Sequence, residues 1–471
     1  MASSQEAKLQ ELPETNVPPP AQRSAEMPML WDEAHRSLID SCVRHQSLLE
    51  LSLQLLRLAD VLDDNQTMKE NDFPVFSTVN ALRNYDWTMC ELLHTMSVPV
   101  VQSIVKNTFA FDVTNDAIKP FQLPSANLDS ETPGVYVVGI RMKNRDGQFL
   151  NINELELLIH EMKQYTEGYE AYARHNGWSS ASMTPAERKA ISLVNAVDGH
   201  MGVQKDPNSG PWFIEKDEEV PRIKALINTF EGMCDRSLDP TGRVYISQSP
   251  LYVGCSKDLN KRMRVYARQS VKGINKPLGL TVCILRKHNR SPELVTGCVL
   301  RILRSNQLPM AEQLVCTIAG SLVYQHGFNA VETGGTGPKS LPADGGLKDN
   351  IKYIICGTQV LVSNLKESLG EADLRQRFLL HLDQVSGEIV RLKEILKDCQ
   401  DQIQHLPSGE EFDQVLSGIS SLVRNVRDNL KDKRNALKFW QLMLDIQNLI
   451  VDETGRGIHL IDNEIACLRR R

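Results

Sequence analysis

The sequence is poor in aromatic residues and has no cysteine pattern typical of a metal site or a disulfide framework. Aromatic residues make up 6% of the 471 positions, and the 10 cysteines are scattered, without a Cys-x-x-Cys pair or a Cys/His cluster at zinc spacing. This argues against small secreted domains held by disulfides and against structural zinc modules. Reduced thiols in an intracellular protein, in the nucleus or the cytoplasm, are the simplest interpretation.

Long apolar runs are also absent. No stretch comes near the length of about 20 residues that a membrane-spanning helix needs. The first residues, Met1 to Glu6, lack the basic and apolar regions of a secretory signal. We therefore expect no membrane partner, and a chain of 471 residues has room for two to four domains.

The net charge of -6 does not by itself indicate a nucleic-acid partner, but the charges are unevenly distributed. Between Arg243 and Ser340 there are 14 Lys and Arg residues against 4 Asp and Glu residues. This window is strongly basic, whereas the rest of the chain is strongly acidic. Local basic charge of this kind is typical of a module that binds phosphate groups.

Composition and hydrophobic periodicity divide the chain into four regions. The first region, which contains Pro18-Pro19-Pro20, is too polar to bury a core and is predicted to be a disordered tail. In the second region, apolar residues recur at alternating steps of three and four, as in packed helices. A region with strand patterns follows, and the last region is again helical. The predicted boundaries are 1–28, 29–125, 130–340 and 350–471.

The last region contains a seam much like that of a coiled coil. Apolar residues from Leu382 to Leu406 repeat at steps of three and four without a break, and Pro407 ends the pattern. A further helix begins near Ser408, where Glu411 completes a capping box. The two interpretations are an intramolecular helical hairpin and association through these helices, with a second copy or with a partner helix.

Residues 250–262, PLYVGCSKDLNKR, predict a short apolar strand that turns directly into a basic helix. Gly254 is expected to let the chain turn without a Cβ clash, and Ser256 to cap the helix. Arg262 then lies one or two turns into that helix. A phenol from Tyr252 and a guanidinium held beside each other can engage a phosphate group.

This segment resembles the second half of the signature of the GIY-YIG nuclease superfamily, and the other parts of that signature occur in the same order. Pro133–Val138 resembles the first strand of the family as found in the bacterial excision-repair branch. Tyr252 and Arg262 have the family's separation. Glu312 and Asn329 follow in the places of the family's glutamate helix and of its asparagine before a glycine pair. The matching segments cover about a fifth of the chain.

The resemblance, which is to the excision-repair and phage homing endonuclease branches, implies an α+β fold. A small three-stranded antiparallel sheet with packed helices would be flanked by mostly helical N-terminal, inserted and C-terminal regions. It also implies an endonuclease that hydrolyses the phosphodiester bonds of DNA, including branched or damaged DNA, with Mg²⁺ or Mn²⁺ as cofactor. The catalytic residues that it implies are Tyr136, Tyr252, Arg262, Tyr266, Glu312 and Asn329.

Each of these residues then has an expected role. Glu312 is the expected metal ligand. Tyr252 is the candidate general base, which requires a nearby cation or a water relay because an unperturbed tyrosine has a pKa of about 10. Arg262 is expected to supply that cation and to stabilise the charge on the phosphate. Tyr266 lies four residues further on the same helical face, and Asn329 is expected to brace the loop and the first strand.

The chain departs from the family between the two tyrosine strands, which usually form one hairpin. A mostly helical insertion, predicted at about 150–240, separates them here. Either this insertion leaves Tyr136 on the first strand, or the first strand lies around Tyr245 and pairs with Tyr252 through a very short turn. The first alternative is preferred, because its strand matches the family more closely and because the short turn would use residues that do not favour positive φ.

Two further elements complete the predicted core. Leu280–Leu285 is short and partly β-branched, and is predicted to be the third strand. Ser291-Pro292-Glu293 is predicted to open a helix that reaches about Ser305, and Pro309 to open the helix that carries Glu312.

A second class of function is a module that keeps this fold without catalytic turnover and binds nucleic acid or protein. The insertion favours this alternative, because displacement of Tyr136 would disrupt the site. Cys255 also stands where the excision-repair branch has a lysine, which puts one phosphate contact in doubt. The absence of a zinc-ligand pattern argues against the family branch that combines this fold with a zinc module to resolve branched DNA.

Overall fold

The chain has an α+β fold in which one three-stranded antiparallel sheet lies among helices, as predicted. The structure, a computed structural model, describes residues 33–44, 47–84, 87–121, 132–178, 181–204, 209–268, 270–334, 344–404 and 413–434. The predicted tail and the last part of the predicted C-terminal helical region lie outside these residues. No helix in the described ranges is long and apolar enough to cross a membrane.

The helical periodicity of the N-terminal region is confirmed. Several of its helices are short, and local signals set their ends, such as Asn65, whose side chain accepts the backbone N–H of Met68. The helices described before the sheet are α1 (Glu33–Arg44), α2 (Leu49–Asp63), α3 (Gln66–Glu70), α4 (Phe76–Arg83), α5 (Trp87–His94), α6 (Val98–Val105) and α7 (Phe109–Thr114).

The sheet has the order β2-β1-β3, and both pairings are antiparallel. The central strand is apolar and buried at nearly every position, because helices cover both of its faces. The strands are β1 (Gly134–Met142), β2 (Tyr252–Ser256) and β3 (Pro292–Arg301).

The register settles which tyrosine lies on the first strand. Tyr136 on β1 lies opposite Gly254, and Val138 lies opposite Tyr252. Tyr245 lies in a segment without strand structure. The preferred alternative of the sequence analysis is therefore confirmed.

The region between β1 and β2 is helical, as predicted, and we refer to it as the insertion. A capping box of Asn151 and Glu154 starts its first helix, and a capping box of Thr184 and Glu187 starts its second. The helices of the insertion are α8 (Ile152–His175), α9 (Pro185–Asp198) and α10 (Val220–Gly232), with 3₁₀ turns at Gly199–Met201 and Asp217–Glu219. They are followed by α11 (Leu259–Tyr266), α12 (Lys276–Lys287) and α13 (Gln307–Ala319).

The prediction for the third strand is wrong. Leu280–Leu285 lies inside α12, which Asn275 caps and which has Pro277 in its first turn. The strand is instead β3, where Ser291-Pro292-Glu293 predicted a helix. The local helix signal there is outweighed by the pairing of β3 with the central strand.

The sheet lies between two hydrophobic cores, because the side chains of a strand alternate between its faces. Val135 and Val137 pack on one face with the N-terminal helices and α13. Tyr136, Val138 and Ile140 pack on the other face with the insertion, α11 and α12. The N-terminal region and the insertion therefore cover opposite faces of the same sheet.

The chain divides into two compact units between Lys366 and Glu367. The first unit contains the elements above, together with α14 (Asp344–Lys352) and a π-helical segment, Tyr353–Thr358. The boundary lies within α15 (Val360–Gln404), and the helix at 413–434, α16, belongs to the second unit.

In the second unit the predicted seam is the less exposed stripe of α15. Val385 and Cys399 are its buried members. Glu388 on α15 and Lys433 on α16 form an ion pair at 2.6 Å, which joins the two helices within one chain. This contact agrees with the intramolecular hairpin, whereas association with a second copy or a partner helix stays a prediction.

Candidate functional site

Four of the six predicted site residues meet on one face of the β1–β2 ladder. Tyr136 lies on β1, Tyr252 on β2, and Arg262 and Tyr266 on α11. The centroids of the three rings are 5.6 to 6.2 Å apart. We refer to these four residues as the tyrosine–arginine cluster.

Arg262 is held by three hydrogen bonds. Its Nε donates to the Tyr136 hydroxyl at 2.9 Å, and its Nη2 donates to the Tyr266 hydroxyl at 3.4 Å. Its Nη1 donates to the carbonyl of Gly273, in the loop after α11, at 3.2 Å. The Tyr136 and Tyr266 hydroxyls are themselves 3.1 Å apart. The guanidinium is therefore fixed in orientation while its side chain remains partly exposed.

The cluster depends on Gly254, which lies opposite Tyr136. A Cβ at this position would lie 2.5 Å from the Tyr136 hydroxyl oxygen and 2.7 Å from its Cζ. The role predicted for Gly254 is therefore wrong, since the residue lies within β2 and not in a turn. Glycine is needed here because the ring of Tyr136 crosses the neighbouring backbone.

The helix that carries Arg262 is capped by Asp258, not by Ser256 as predicted. The Asp258 side chain accepts the backbone N–H of Lys261 at 2.9 Å. The Ser256 hydroxyl instead accepts the N–H of Asp258 at 3.1 Å, within the preceding turn. The cap fixes where α11 begins, and so which face of the helix carries Arg262 and Tyr266.

Burial raises the pKa of the phenols in the cluster. Burial is the main reason that the pKa of Tyr252 lies far above its ordinary value, Tyr136 raises it further, and Arg262 lowers it by less. Burial likewise raises the pKa of Tyr136 and of Tyr266. The net shift at Tyr252 is opposite to the one that a phenolate base requires, so Tyr252 keeps its proton at neutral pH.

Glu312 lies on α13 at the open edge of β2 and is partly exposed. Its Oε1 accepts the N–H of Cys255 at 3.1 Å, and its Oε2 accepts the N–H of Gly334 at 2.9 Å. Burial raises the pKa of Glu312, and these backbone donors lower it by less. Gly334 has a φ of 85°, so glycine is favoured where the loop meets the carboxylate.

The donor set around Glu312 fits a single-carboxylate metal site. Two N–H groups and the Cys255 thiol bond to the carboxylate, whose two oxygens offer about four acceptor positions, so one position is left for a cation. Mg²⁺ is often bound through one or two carboxylates, with waters and substrate phosphates as the other ligands. In the described ranges, no three or more His, Cys, Asp or Glu side chains are placed so that they could hold a metal ion together.

Asn329 braces β2, whereas the sequence predicted that it would brace the loop and the first strand. Its Nδ2 donates to the carbonyl of Val253 at 2.7 Å, and its Oδ1 accepts the N–H of Val253 at 2.9 Å. The Cys255–Glu312 bond lies two residues further along the same edge. Asn329 and Glu312 therefore cover an edge of β2 that would otherwise expose unpaired backbone groups.

Tyr245 takes part in the contacts that hold the insertion. The guanidinium of Arg145 lies 4.1 Å above the centroid of its ring. Arg145 also forms a buried ion pair with Glu154 at 2.7 Å. The backbone N–H of Ile246 donates to the carbonyl of Leu150 at 3.1 Å. These contacts fasten the end of the insertion to its beginning.

A second side of α11 is exposed and basic. Lys261 and Arg264 on the helix, and Arg268 and Lys272 in the loop after it, are all exposed. Within the part of the chain that the structure describes, no carboxylate forms an ion pair with any of the four. We refer to these residues as the basic face. The only sequence signal for them was the positive charge of the whole window.

No family model, curated protein or solved structure matches this chain. The resemblance to the GIY-YIG superfamily therefore rests on the sequence motifs and their order alone.

Proposed function

We propose that the protein is a metal-dependent endonuclease that hydrolyses DNA phosphodiester bonds in a site of the GIY-YIG type. The observation that supports this most is the convergence of Tyr136, Tyr252, Arg262 and Tyr266 from three separate elements, with a carboxylate at the adjoining edge of β2. Hydrolysis of a phosphodiester needs a positioned water and compensation of the charge that develops on the phosphate. An intracellular location, in the nucleus or the cytoplasm, is part of the same proposal.

Arg262 is the residue that engages the phosphate. A guanidinium stays protonated at any working pH and presents several donors in a fixed fork. The Nε bond to Tyr136 holds one side of the group, while Nη1 contacts the carbonyl of Gly273 in an exposed loop. A phosphate oxygen can replace that carbonyl as the acceptor. Donors fixed in advance in this way are the usual source of transition-state stabilisation.

Tyr252 orients the attacking water through its hydroxyl. Because its pKa is raised, it does not act as a free phenolate at neutral pH. The hydroxyls of Tyr136 and Tyr266, 3.1 Å apart and both bonded to Arg262, hold the guanidinium beside the position of that water.

Glu312 is the residue that would hold Mg²⁺ or Mn²⁺. When bound, the cation would supply positive charge to the phosphate oxygens. In the protein itself, Glu312 links α13, β2 and the loop at Gly334. Asn329 holds the adjacent part of β2, so that the strand keeps its position when the carboxylate changes partners.

The second candidate function is a nucleic-acid-binding module without turnover. It is favoured by the two hydrogen bonds at Glu312, since a carboxylate that clamps two backbone amides has a structural role without any metal. The raised pKa of Glu312, caused mainly by burial, also opposes the charged form that binds a cation.

Incubation with supercoiled and branched DNA separates the two candidates. We expect cleavage with Mg²⁺ or Mn²⁺ and none with a chelator. Tyr136→Phe removes only the hydroxyl that contacts Arg262. Tyr245→Phe is the matched control, because it removes a hydroxyl from another tyrosine that lies beside an arginine, Arg145, outside the cluster. We expect a rate loss for the first variant and for Arg262→Ala, and no loss for the control.

Equal cleavage by all these proteins would contradict the assignment, because a contaminating nuclease would then explain the signal. DNA binding by all of them, with cleavage by none, would support the module without turnover.

A further inference from the structure

We propose that the substrate is single-stranded at the site, with its phosphates on the basic face and an unpaired base stacked on Phe76. This inference rests on the proposed function, because it names the substrate class of the same site. Proteins that bind single strands combine a basic path for the backbone with aromatic side chains on which bases stack. The basic face lies on the helix that carries Arg262, and Phe76 lies in the N-terminal region, which hydrogen bonds connect to Glu312 at the edge of β2.

The basic face provides the path for the phosphates. Lys261 and Arg264 are three residues apart on α11, about one helical turn, and Arg268 and Lys272 follow in the loop after the helix. The same helix carries Arg262 on its other side, where it contacts the hydroxyls of the cluster. A strand whose reacting phosphate lies at Arg262 therefore places its next phosphates beside exposed cations.

Phe76 provides the platform for a base. It begins α4 and is 75% exposed, which is unusual for a side chain of this size. Val331, in the loop that leads to Gly334, is 58% exposed. The two segments are joined by a bond of 2.8 Å from the N–H of Thr78 to Oε1 of Glu332. Phe76 and Val331 are therefore two exposed apolar residues, each within two residues of the bonded groups.

This pair is tied to the proposed metal ligand. Gly334, two residues after Glu332, donates its N–H to the Glu312 carboxylate at 2.9 Å. Phe76 is two residues from Thr78, and Glu332 is two residues from Gly334. The path along these residues and across the two hydrogen bonds therefore places Phe76 within about 20 Å of the Glu312 carboxylate. A base next to the reacting phosphate, or a few nucleotides away, is then within reach of the ring.

The exposed ring distinguishes a single strand from a duplex. In a duplex the faces of the bases are covered by their neighbours in the stack, so the Phe76 ring finds no free base face on which to stack. An unpaired base has a free face, and stacking on it hides apolar surface of both partners. The basic face contributes to binding of either form, because it contacts phosphates only.

Equilibrium binding in the presence of a chelator tests this without any cleavage. Three ligands of equal length are used: a single-stranded oligonucleotide, the same strand with abasic central positions, and a duplex. Wild type should bind the first more tightly than the second. Phe76→Ala should weaken binding of the intact strand by about 5- to 150-fold and leave the abasic strand and the duplex unchanged.

Two controls keep the result interpretable. Phe76→Leu keeps an apolar side chain without a ring and should show most of the loss, and it covers the case in which the alanine variant folds poorly. Trp87→Ala removes another exposed aromatic residue, 64% exposed at the start of α5, and should change nothing.

The salt dependence tests the basic face. Each of Lys261→Ala and Arg264→Ala should weaken the intact and abasic strands equally and reduce the slope of log K against log salt by about 0.7. Lys163→Ala is the matched control, because Lys163 is ion-paired with Glu231 at 2.6 Å in the insertion. It should leave the slope unchanged.

The outcomes separate the two proposals. If Phe76→Ala binds all three ligands as wild type does, or weakens the abasic strand as much as the intact one, the inference is overturned even where cleavage is observed. If Phe76→Ala loses affinity only for the intact strand, and no form of the protein cleaves DNA, the inference stands and the proposed nuclease activity is overturned.

Discussion

The insertion and the site use charged side chains in opposite ways. In the insertion, basic residues lie against carboxylates, as in Arg145–Glu154 at 2.7 Å and Arg236–Glu156 at 2.8 Å. In the site, Arg262 contacts two hydroxyls and a carbonyl, and among the described residues the basic face has no carboxylate partner. Paired charges hold elements together, whereas positive charge without a counter-ion in the protein is available to a phosphate.

The largest effect is expected where the insertion is fastened. Arg145→Ala leaves the buried carboxylate of Glu154 with only Arg290, at 3.4 Å, as a cationic partner, and the free energy of unfolding should fall by up to about 3–5 kcal/mol. Denaturant unfolding measures this loss. Lys163→Ala, at an exposed ion pair, should cost less than about 1 kcal/mol. If the two variants lost similar amounts of stability, the buried ion pair would contribute no more to folding than the exposed one, which would contradict its role in fastening the insertion.

The next effect is expected at Arg262, where the charge serves the site and not the fold. Arg262→Lys keeps the positive charge but loses the fork that reaches Tyr136, Tyr266 and Gly273 together. The single-turnover cleavage rate should fall by about 10²–10³-fold, with little change in thermal stability. A variant that cleaves at the wild-type rate would show that the geometry of the guanidinium is not needed.

A smaller effect is expected at the edge of β2, which supports the site without charge. Asn329→Ala leaves the N–H and the carbonyl of Val253 without their partners, and should cost about 1–3 kcal/mol of stability. Faster amide hydrogen exchange at Val253 would locate the change. Asn329→Asp places a buried carboxylate oxygen against the Val253 carbonyl and should cost at least as much stability as Asn329→Ala. Unchanged exchange would show that the strand does not depend on this brace.

The smallest effect is expected at the start of α9, where a carboxylate caps a helix. The backbone N–H of Thr184 and then its hydroxyl lower the pKa of Glu187 from 4.5 to about 2. A lowered pKa stabilises the folded state above pH 4.5, and this contribution is lost as the pH falls from 4.5 toward 2. Thr184→Ala should cost about 1 kcal/mol at neutral pH.

Thermal melts of wild type and Glu187→Gln across that range check the sign. The variant should be less stable than wild type above pH 4.5 and should approach wild type near pH 2. A difference between the two proteins that is constant with pH would contradict the role of the charge.

The elements that could be predicted from the sequence are those with strong local signals. The central strand β1 is a continuous apolar run, and the capping box at Thr184 marks the start of α9. β3 could not be predicted, because its Ser-Pro-Glu start is a helix signal and its strand structure comes from pairing with β1. At Leu280–Leu285 the error is the opposite one, because a partly β-branched apolar run predicted a strand where the structure has a helix. A helix buried on nearly all sides is also continuously apolar, so the pattern does not distinguish the two.

The site likewise has features that local sequence predicts and features that depend on packing between distant segments. Spacing along one helix was enough to place Arg262 and Tyr266 on one face. The backbone donors at Cys255 and Gly334, which determine how Glu312 is used, could not be predicted, because backbone amides have no residue signature. The raised pKa of Tyr252 could not be predicted either, since the degree of burial depends on the elements that pack around it.

The sequence alone therefore determined the helical periodicity, the central strand, the caps and the order of the motif residues, because each depends on neighbours close in the chain. The tertiary structure decided which strand lies beside Tyr252, how Glu312 is bonded and which cations have no partner. These properties depend on contacts between residues far apart in sequence, where burial and the pairing of the sheet outweigh local preference. That is why the same residue types, arginine and glutamate, hold the insertion together in one place and define a candidate site in the other.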